Sequence, residues 1–149
     1  MQFREAQVTD IPQLMEIRNS VNENQLSDPS LISFDDYKTF ISNRGKGWIS
    51  LEGELITGFA VVDLVEHNIW ALFVRPGYEG KGIGTKLQQI MLSWYFMQTS
   101  HPVWLSTSPG TRAEKFYRKS GWLETGMYGK GEIRFERSEP ISNAPLSEL

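Results

Sequence analysis

Chemistry gathers first at Gly80-Lys81-Gly82-Ile83-Gly84-Thr85, where glycines run directly into an apolar stripe of helical period. Glycine lets a backbone approach a ligand closely, and the free N–H groups of a helix's first turn, at the positive end of its dipole, suit a phosphate. A phosphate site and a purely structural turn are both open at this level. The run lacks the four-residue interval before Gly-Lys-Ser/Thr that defines a P-loop, and Thr85 stands where a dinucleotide fingerprint carries glycine or alanine. Ser106 and Ser108 are not framed by the Gly-x-Ser-x-Gly of a nucleophile elbow. His67 and His101 are too isolated to make a metal site, His101 reading as a surface loop residue, and the absence of cysteine removes thiolate nucleophiles and disulfides.

The loop must be held by the elements around it. Residues 69–74 form a nearly continuous apolar run, which predicts a central strand covered on both faces. After the glycines, Ile83, Leu87, Ile90, Met91, Trp94 and Met97 mark one broad helical face. Upstream, residues 3–7 read as a strand, Thr9 as the N-cap of a helix carrying Ile11, Leu14, Met15, Ile17 and Val21, and Ser33 with Asp36 as a capping box. The helix behind that box turns Phe34, Tyr37, Phe40 and Ile41 inward and ends at Arg44-Gly45-Lys46-Gly47. Residues 48–51 and 55–64 make a hairpin at Glu52-Gly53. Residues 102–107 make a further strand, a helix with Ala113, Phe116 and Tyr117 stops at Gly121, and residues 122–127 and 132–137 close the chain as a hairpin. The order βααβββαβαββ predicts an α/β fold, a mixed sheet with helices on both sides, in one domain over 1–137 with a loosely held tail at 138–149.

A chain of 149 residues with 40% hydrophobic side chains suits one globular core. A net charge of −3 and a pI near 5.4 argue against a nucleic-acid binder that works by neutralising phosphates. No apolar run approaches the roughly 20 residues a membrane helix needs, and the N-terminus has no signal-peptide pattern. The expected partners therefore include neither nucleic acid nor membrane, and the expected location is the cytoplasm.

Two motifs together say more. Val74-Arg75-Pro76-Gly77-Tyr78-Glu79-Gly80-Lys81-Gly82-Ile83-Gly84-Thr85, followed at the right interval by Ala113-Glu114-Lys115-Phe116-Tyr117-Arg118-Lys119-Ser120-Gly121-Trp122, resembles the acyl-CoA-binding and C-terminal motifs of the Gcn5-related N-acetyltransferase (GNAT) superfamily. In element order the likeness covers residues 3–137. It departs from the family pattern at Glu79, where Arg or Gln is usual, and at Gly110, where Asn is common. A carboxylate facing a pyrophosphate would be repelled, unless backbone N–H groups do the binding while Glu79 turns to solvent and Lys81 offsets its charge.

The resemblance implies that the acetyl group of acetyl-CoA passes to a primary amine by direct attack in a ternary complex, with no metal. It implies a central strand that splits from its parallel neighbour, with pantetheine pairing near Leu72, Phe73 and Val74, and a pyrophosphate site over Glu79, Gly80, Lys81, Gly82, Ile83, Gly84 and Thr85. A backbone N–H of Phe73 or Val74, at a bulged strand end, would polarise the acetyl carbonyl. Tyr117 takes the family's acid position: a phenol of pKa near 10 is protonated at neutral pH and can protonate the departing thiolate. Glu66 and His67 precede the central strand where family members often carry a carboxylate, and are candidates for a base acting through water. Asn68, the nearer positional match, cannot usefully take a proton.

In this family the acceptor pocket is built by the segment that residues 22–30 occupy and by the helix after it. Here that region offers Glu23, Asn24, Asp28, Asp35 and Asp36 against Lys38, which would draw a cationic amine. Asp35 and Asp36 also suit the first turn of a helix whatever the substrate. A small amine, an amino acid, an antibiotic, a peptide N-terminus and a protein lysine all fit, and a homodimer is left open. Two other classes stay open: a non-catalytic acyl-CoA-binding or regulatory domain, and a nucleotide-binding module that would respond to NAD or ATP and not to coenzyme A.

Overall fold

In the computed structural model, which describes residues 1–21 and 31–141, the elements follow the expected order. They are β1 (Gln2–Glu5), a 3₁₀ turn (Val8–Asp10), α1 (Ile11–Ser20), α2 (Phe34–Thr39), β2 (Gly45–Glu52), β3 (Leu55–Asp63), β4 (Asn68–Val74), α3 (Ile83–Gln98), β5 (Val103–Thr107), α4 (Arg112–Lys119), β6 (Leu123–Tyr128) and β7 (Glu132–Arg137). Among the described residues, the seven strands form one mixed sheet in the order β1-β2-β3-β4-β5-β7-β6, antiparallel throughout except between β4 and β5. Strand alternation divides the core in two. Ile49, Phe59, Val61 and Ala71 face one side, where Ile11, Leu14 and Ile17 of α1 and Tyr37 of α2 cover them. Ala60, Val62, Leu105, Ile133 and Phe135 face the other, under Leu87, Met91, Leu92 and Tyr95 of α3 and Tyr117 of α4.

Local chemistry explains where the helices begin. The turn before α1 is closed by Gln7 rather than Thr9: the Gln7 N–H donates to the Asp10 carboxylate at 2.7 Å, and Arg4 grips the same group at 2.8 and 3.0 Å. Burial pushes the Asp10 pKa up, but Arg4 and the Gln7 N–H together hold it below the ordinary carboxylate value. Ser33 caps α2 as its spacing predicts, with the Asp36 N–H donating to Ser33 Oγ at 3.2 Å and the Ser33 N–H to the Asp36 carboxylate at 2.8 Å. Behind it, α2 continues as a π-turn (Phe40–Arg44) that passes directly into β2. Gly45-Lys46-Gly47 is thus strand, not loop. A Cβ on Gly45 would lie 1.8 Å from the Val62 carbonyl oxygen, so this strand pair needs glycine there.

The stripe on α3 is rotated from the expected one. Its buried residues are Ile83, Leu87, Gln88, Met91, Leu92 and Tyr95, whereas Met97 is 80% exposed. Gln88 and Tyr95 can go inside because distant groups satisfy them. The Trp122 indole N–H donates to Gln88 Oε1 at 2.6 Å, and the Tyr95 hydroxyl bonds His67 Nδ1 at 2.9 Å and the His101 carbonyl at 3.1 Å. At the head of the expected tail, Arg137 donates to the carbonyls of Glu139 and Pro140 at 2.7 and 3.3 Å, and Ile141 packs on the core; the rest of the tail, 142–149, lies outside the described residues. Among the described residues no helix is long and apolar enough to cross a membrane.

Candidate active site

Two irregularities in β4 open the sheet. The β3–β4 register passes from Val61↔Ala71 to Val62↔Ile69, so Trp70 is an extra residue and joins Ala71 on the same face. The bulge expected near Phe73 and Val74 therefore sits at Trp70. On its other side, β4 is paired with β5 at the single register position Asn68↔Trp104, beside a Trp104 N–H to His67 carbonyl bond of 3.0 Å. Beyond that rung the parallel strands part, which leaves Leu72, Phe73 and Val74 half-buried instead of covered on both faces. The direction of their backbone groups follows from one bond: the Arg75 N–H donates to the Thr57 carbonyl at 2.8 Å. By antiparallel alternation the Phe73 N–H and C=O also face β3, while those of Leu72 and Val74 face the split.

The split is part of a cleft of about 1120 Å³, slightly larger than the usual small-molecule site of about 300 to 1,000 Å³. Its walls come from both faces of the sheet. On the α3 side, Gly77, Gly80 and Gly82 turn the loop with φ values of 96, 74 and 80°. Gly82 caps α3 in this left-handed conformation, and a Cβ there would meet nothing within 4 Å. Gly80, Gly82, Ile83, Gly84 and Thr85 line the cleft, so the opening N–H groups of α3 stand at its wall. Glu79 is folded back on its own turn, accepting from the Gly77 N–H at 2.7 Å. The backbone N–H groups of Glu79 and Gly77 hold its carboxyl below the ordinary value. Lys81 instead carries its ammonium over the Tyr78 ring at 5.2 Å.

Opposite the loop, the Thr111 hydroxyl caps α4, accepting from the Glu114 N–H at 3.2 Å. Arg112, Lys115 and Lys119 recur on the side of α4 that lines the cleft, as does Tyr117. Tyr117 is 7% exposed among the rings of Phe116, Trp122 and Phe135, at 5.2, 5.6 and 6.3 Å. Burial pushes its phenol pKa well above the ordinary value.

On the far face of the sheet, Ser106 of β5 donates to the Glu132 carboxylate at the start of β7, at 2.7 Å, and both line the cleft. Leu105 and Ile133 face α3, so alternation turns Ser106 and Glu132 toward the α1 side. Arg18 of α1 completes that wall. Its guanidinium lies over the Phe73 ring at 4.5 Å, and its Nη1 is shut off from solvent and has no hydrogen-bond partner among the described residues. Burial draws the Arg18 pKa down, against the pull of Tyr37.

The acetyltransferase (GNAT) family model matches residues 11–122, the span that holds the split strands, the glycine loop and Tyr117. The chain belongs to the acetyltransferase (GNAT) family. Solved structures share the fold at low identity. The PaiA N-acetyltransferase from Thermoplasma acidophilum, in complex with coenzyme A, is 13% identical, with a TM-score of 0.76 over 92% of this chain and 98% of that one. The ribosomal-protein-S18-alanine N-acetyltransferase from Escherichia coli is 17% identical, with a TM-score of 0.71 over 95% and 94%. The protein yncA from Salmonella typhimurium, with its cofactor acetyl-CoA, is 18% identical, with a TM-score of 0.75 over 97% and 97%. No curated protein sequence matches the chain.

Within this GNAT fold the residues singled out from sequence divide clearly. Leu72, Phe73, Val74, Glu79, Gly80, Gly82, Ile83, Gly84, Thr85 and Tyr117 meet at one cleft. Glu66 and His67 sit at the closed end of the split, outside the residues lining it. Glu66 is exposed and offers its carbonyl to the Trp104 indole N–H at 3.0 Å, while His67 stacks on His101 at 3.8 Å. Asp35 and Asp36 occupy the first turn of α2 and do not line the cleft. Glu23, Asn24 and Asp28 lie outside the described residues. Among the described residues no group of three or more His, Cys, Asp or Glu side chains could hold a metal. The sequence reading missed Arg112, Lys115 and Lys119, whose helical spacing was a usable signal, and it missed Arg18 and Glu132, for which no local signal exists.

Proposed function

We propose that this member of the GNAT family transfers the acetyl group of acetyl-CoA to the nitrogen of a primary amine, with both substrates in the cleft at once. The observation that carries the reading is the parting of β4 from β5 with the backbone groups of Leu72 and Val74 turned into the gap. Unmatched strand groups of this kind fit the amides of a pantetheine arm. The open room at Gly82 and the cations of α4 fit a pyrophosphate and a further phosphate. Acetyl-CoA would supply an acetyl group already activated as a thioester.

The residues then take distinct roles. The N–H groups from Gly80 to Thr85, with Lys115 and Lys119 nearby, neutralise the phosphates. Entering from that loop, an extended arm meets Val74 before Leu72, so Val74 pairs with pantetheine and the Leu72 N–H donates to the thioester carbonyl oxygen. Phe73, turned to β3, drops out of that role. Tyr117 gives its proton to the departing sulfur from the α3 side. Glu132, held by Ser106 on the α1 side, takes the proton that the acceptor's ammonium must lose before its nitrogen attacks the thioester carbon. Among the described residues the carboxylates lining the cleft are Glu79 and Glu132, and Glu79 is bonded to its own turn.

Release of free thiol from acetyl-CoA, followed with a panel of amines, tests the reading: release should depend on an amine. Binding without turnover for every amine would favour a non-catalytic acyl-CoA-binding domain, and a melting temperature raised by NAD or ATP but not by coenzyme A would favour a nucleotide module. The loop has its own test. Gly82→Val places a β-branched residue at φ 80°, a conformation it strongly disfavours, with methyl groups in the space the phosphate would use. Coenzyme A affinity should fall by roughly tenfold or more, about 1.4 kcal/mol; calorimetry showing an unaltered dissociation constant would place the pyrophosphate elsewhere.

A further inference from the structure

We infer that the acceptor carries, besides its amine, a carboxylate that docks on Arg18. This rests on the acetyl-transfer reading and names the substrate class for the same cleft. Its starting point is a cation in an expensive position. A guanidinium drawn out of water loses hydration, and the loss is offset only when its donors find acceptors. Arg18 has one nitrogen closed off without a hydrogen-bond partner among the described residues, and its flat face is spent on Phe73.

Among the described residues no carboxylate pairs with Arg18. Glu16, on the same helix, pairs with Arg75; Asp36 closes the cap of α2; Glu79 is bonded to its own loop; and Glu132 accepts from Ser106. With its face on Phe73 and Nη1 shut off, the guanidinium keeps Nε and Nη2 without partners among the described residues, an edge that matches a carboxylate in two parallel hydrogen bonds. Phe73 beneath it is apolar, and the cleft is also lined by the apolar Leu31, Ile32 and Trp70. Arg18 and Glu132 stand on the same side of the sheet, so the acceptor's half of the cleft has a positive pole and a negative pole. An acceptor that carries both an ammonium and a carboxylate can answer both, whereas a plain diamine or polyamine leaves Arg18 unanswered.

Such a carboxylate can belong to a free amino acid or to an acidic residue at a peptide N-terminus. The experiment uses acetyl transfer to alanine and phenylalanine, to their amides, and to two peptide amides that differ only in beginning with glutamate or glutamine. Amidation lowers an α-amine pKa toward about 8, which enlarges its free-base fraction, so without recognition of the carboxylate the amides are the better acceptors. We expect the acids to be preferred by the wild type. Arg18→Gln should raise KM for carboxylate acceptors roughly 10- to 100-fold while leaving the amides and acetyl-CoA affinity unchanged, and Arg18→Lys should restore part of the loss. Preference for glutamate-peptide amide over the free amino acids assigns the carboxylate to a peptide, and the reverse to a metabolite. Equal use of acids and amides together with equal use of the two peptides by the wild type, or an equal loss with and without the carboxylate in Arg18→Gln, overturns the inference. If no amine is acetylated, the activity reading fails by itself, and calorimetric titration of the same compounds into the coenzyme A complex decides about Arg18. Acid binding that is lost in Arg18→Gln upholds the carboxylate site; acid and amide binding alike, or neither binding, overturns it.

Discussion

Tyr117→Phe is expected to lower kcat by roughly 10- to 10³-fold, the range of a single general acid, with coenzyme A affinity and melting temperature nearly unchanged. The separation is possible because the ring and the hydroxyl do different work. The ring packs among Phe116, Trp122 and Phe135, and phenylalanine keeps that packing. Only the proton is lost. The direction of the pKa shift sets the pH dependence: burial disfavours the phenolate, so the proton stays on Tyr117 beyond the ordinary phenol value of about 10. The wild type should show no alkaline fall in kcat from loss of this acid up to that value, and the deficit of the variant should be constant across the same range. Unchanged turnover in the variant would remove Tyr117 from the mechanism.

Glu132→Gln should cost up to roughly 10³-fold in kcat/KM at pH 7, because an alkyl amine of pKa near 10.4 is free base in only about one part in 10³ there. Glutamine keeps an oxygen for the Ser106 hydroxyl, so the local geometry survives while the proton acceptor does not. The variant would then depend on amine already deprotonated in solution. Its rate should rise about tenfold per pH unit below the amine's pKa, and its deficit against the wild type should shrink by the same factor. A deficit that does not change with pH would show that Glu132 positions the acceptor and is not its base.

What the sequence made legible was local. The βααβββαβαββ order followed from periodicity, from the Ser33 and Asp36 capping box and from the glycines around Gly82, all features that act within a turn or two of chain. What stayed hidden depended on partners brought in by the tertiary fold. Gln88 and Tyr95 are not among the residues of the expected α3 stripe; Trp122 and His67 meet them in the fold, and the buried face is rotated to include them. Trp70 became a bulge only through its register with β3. Glu132 and Ser106 meet because β7 returns beside β5, and Arg18 reaches the cleft because α1 crosses β4 at Phe73. Glu79 is the instructive case. Its charge conflicted with the phosphate loop on paper; in the fold its carboxylate accepts from the Gly77 N–H of its own turn and feels the charge of Arg112.

The lone rung between β4 and β5 also bears on how long the folded chain survives. Past Asn68 the sheet has two inner edges whose backbone groups no strand completes, and unfinished edges are where chains unravel or join their neighbours. A bound coenzyme arm would act as the absent strand, adding RT ln(1 + [L]/Kd) to the apparent stability, about 2.7 kcal/mol at a hundredfold excess over Kd. Protein turnover would then follow the supply of the cosubstrate: a starved chain carries an incomplete sheet into every encounter with a protease, and a supplied one does not.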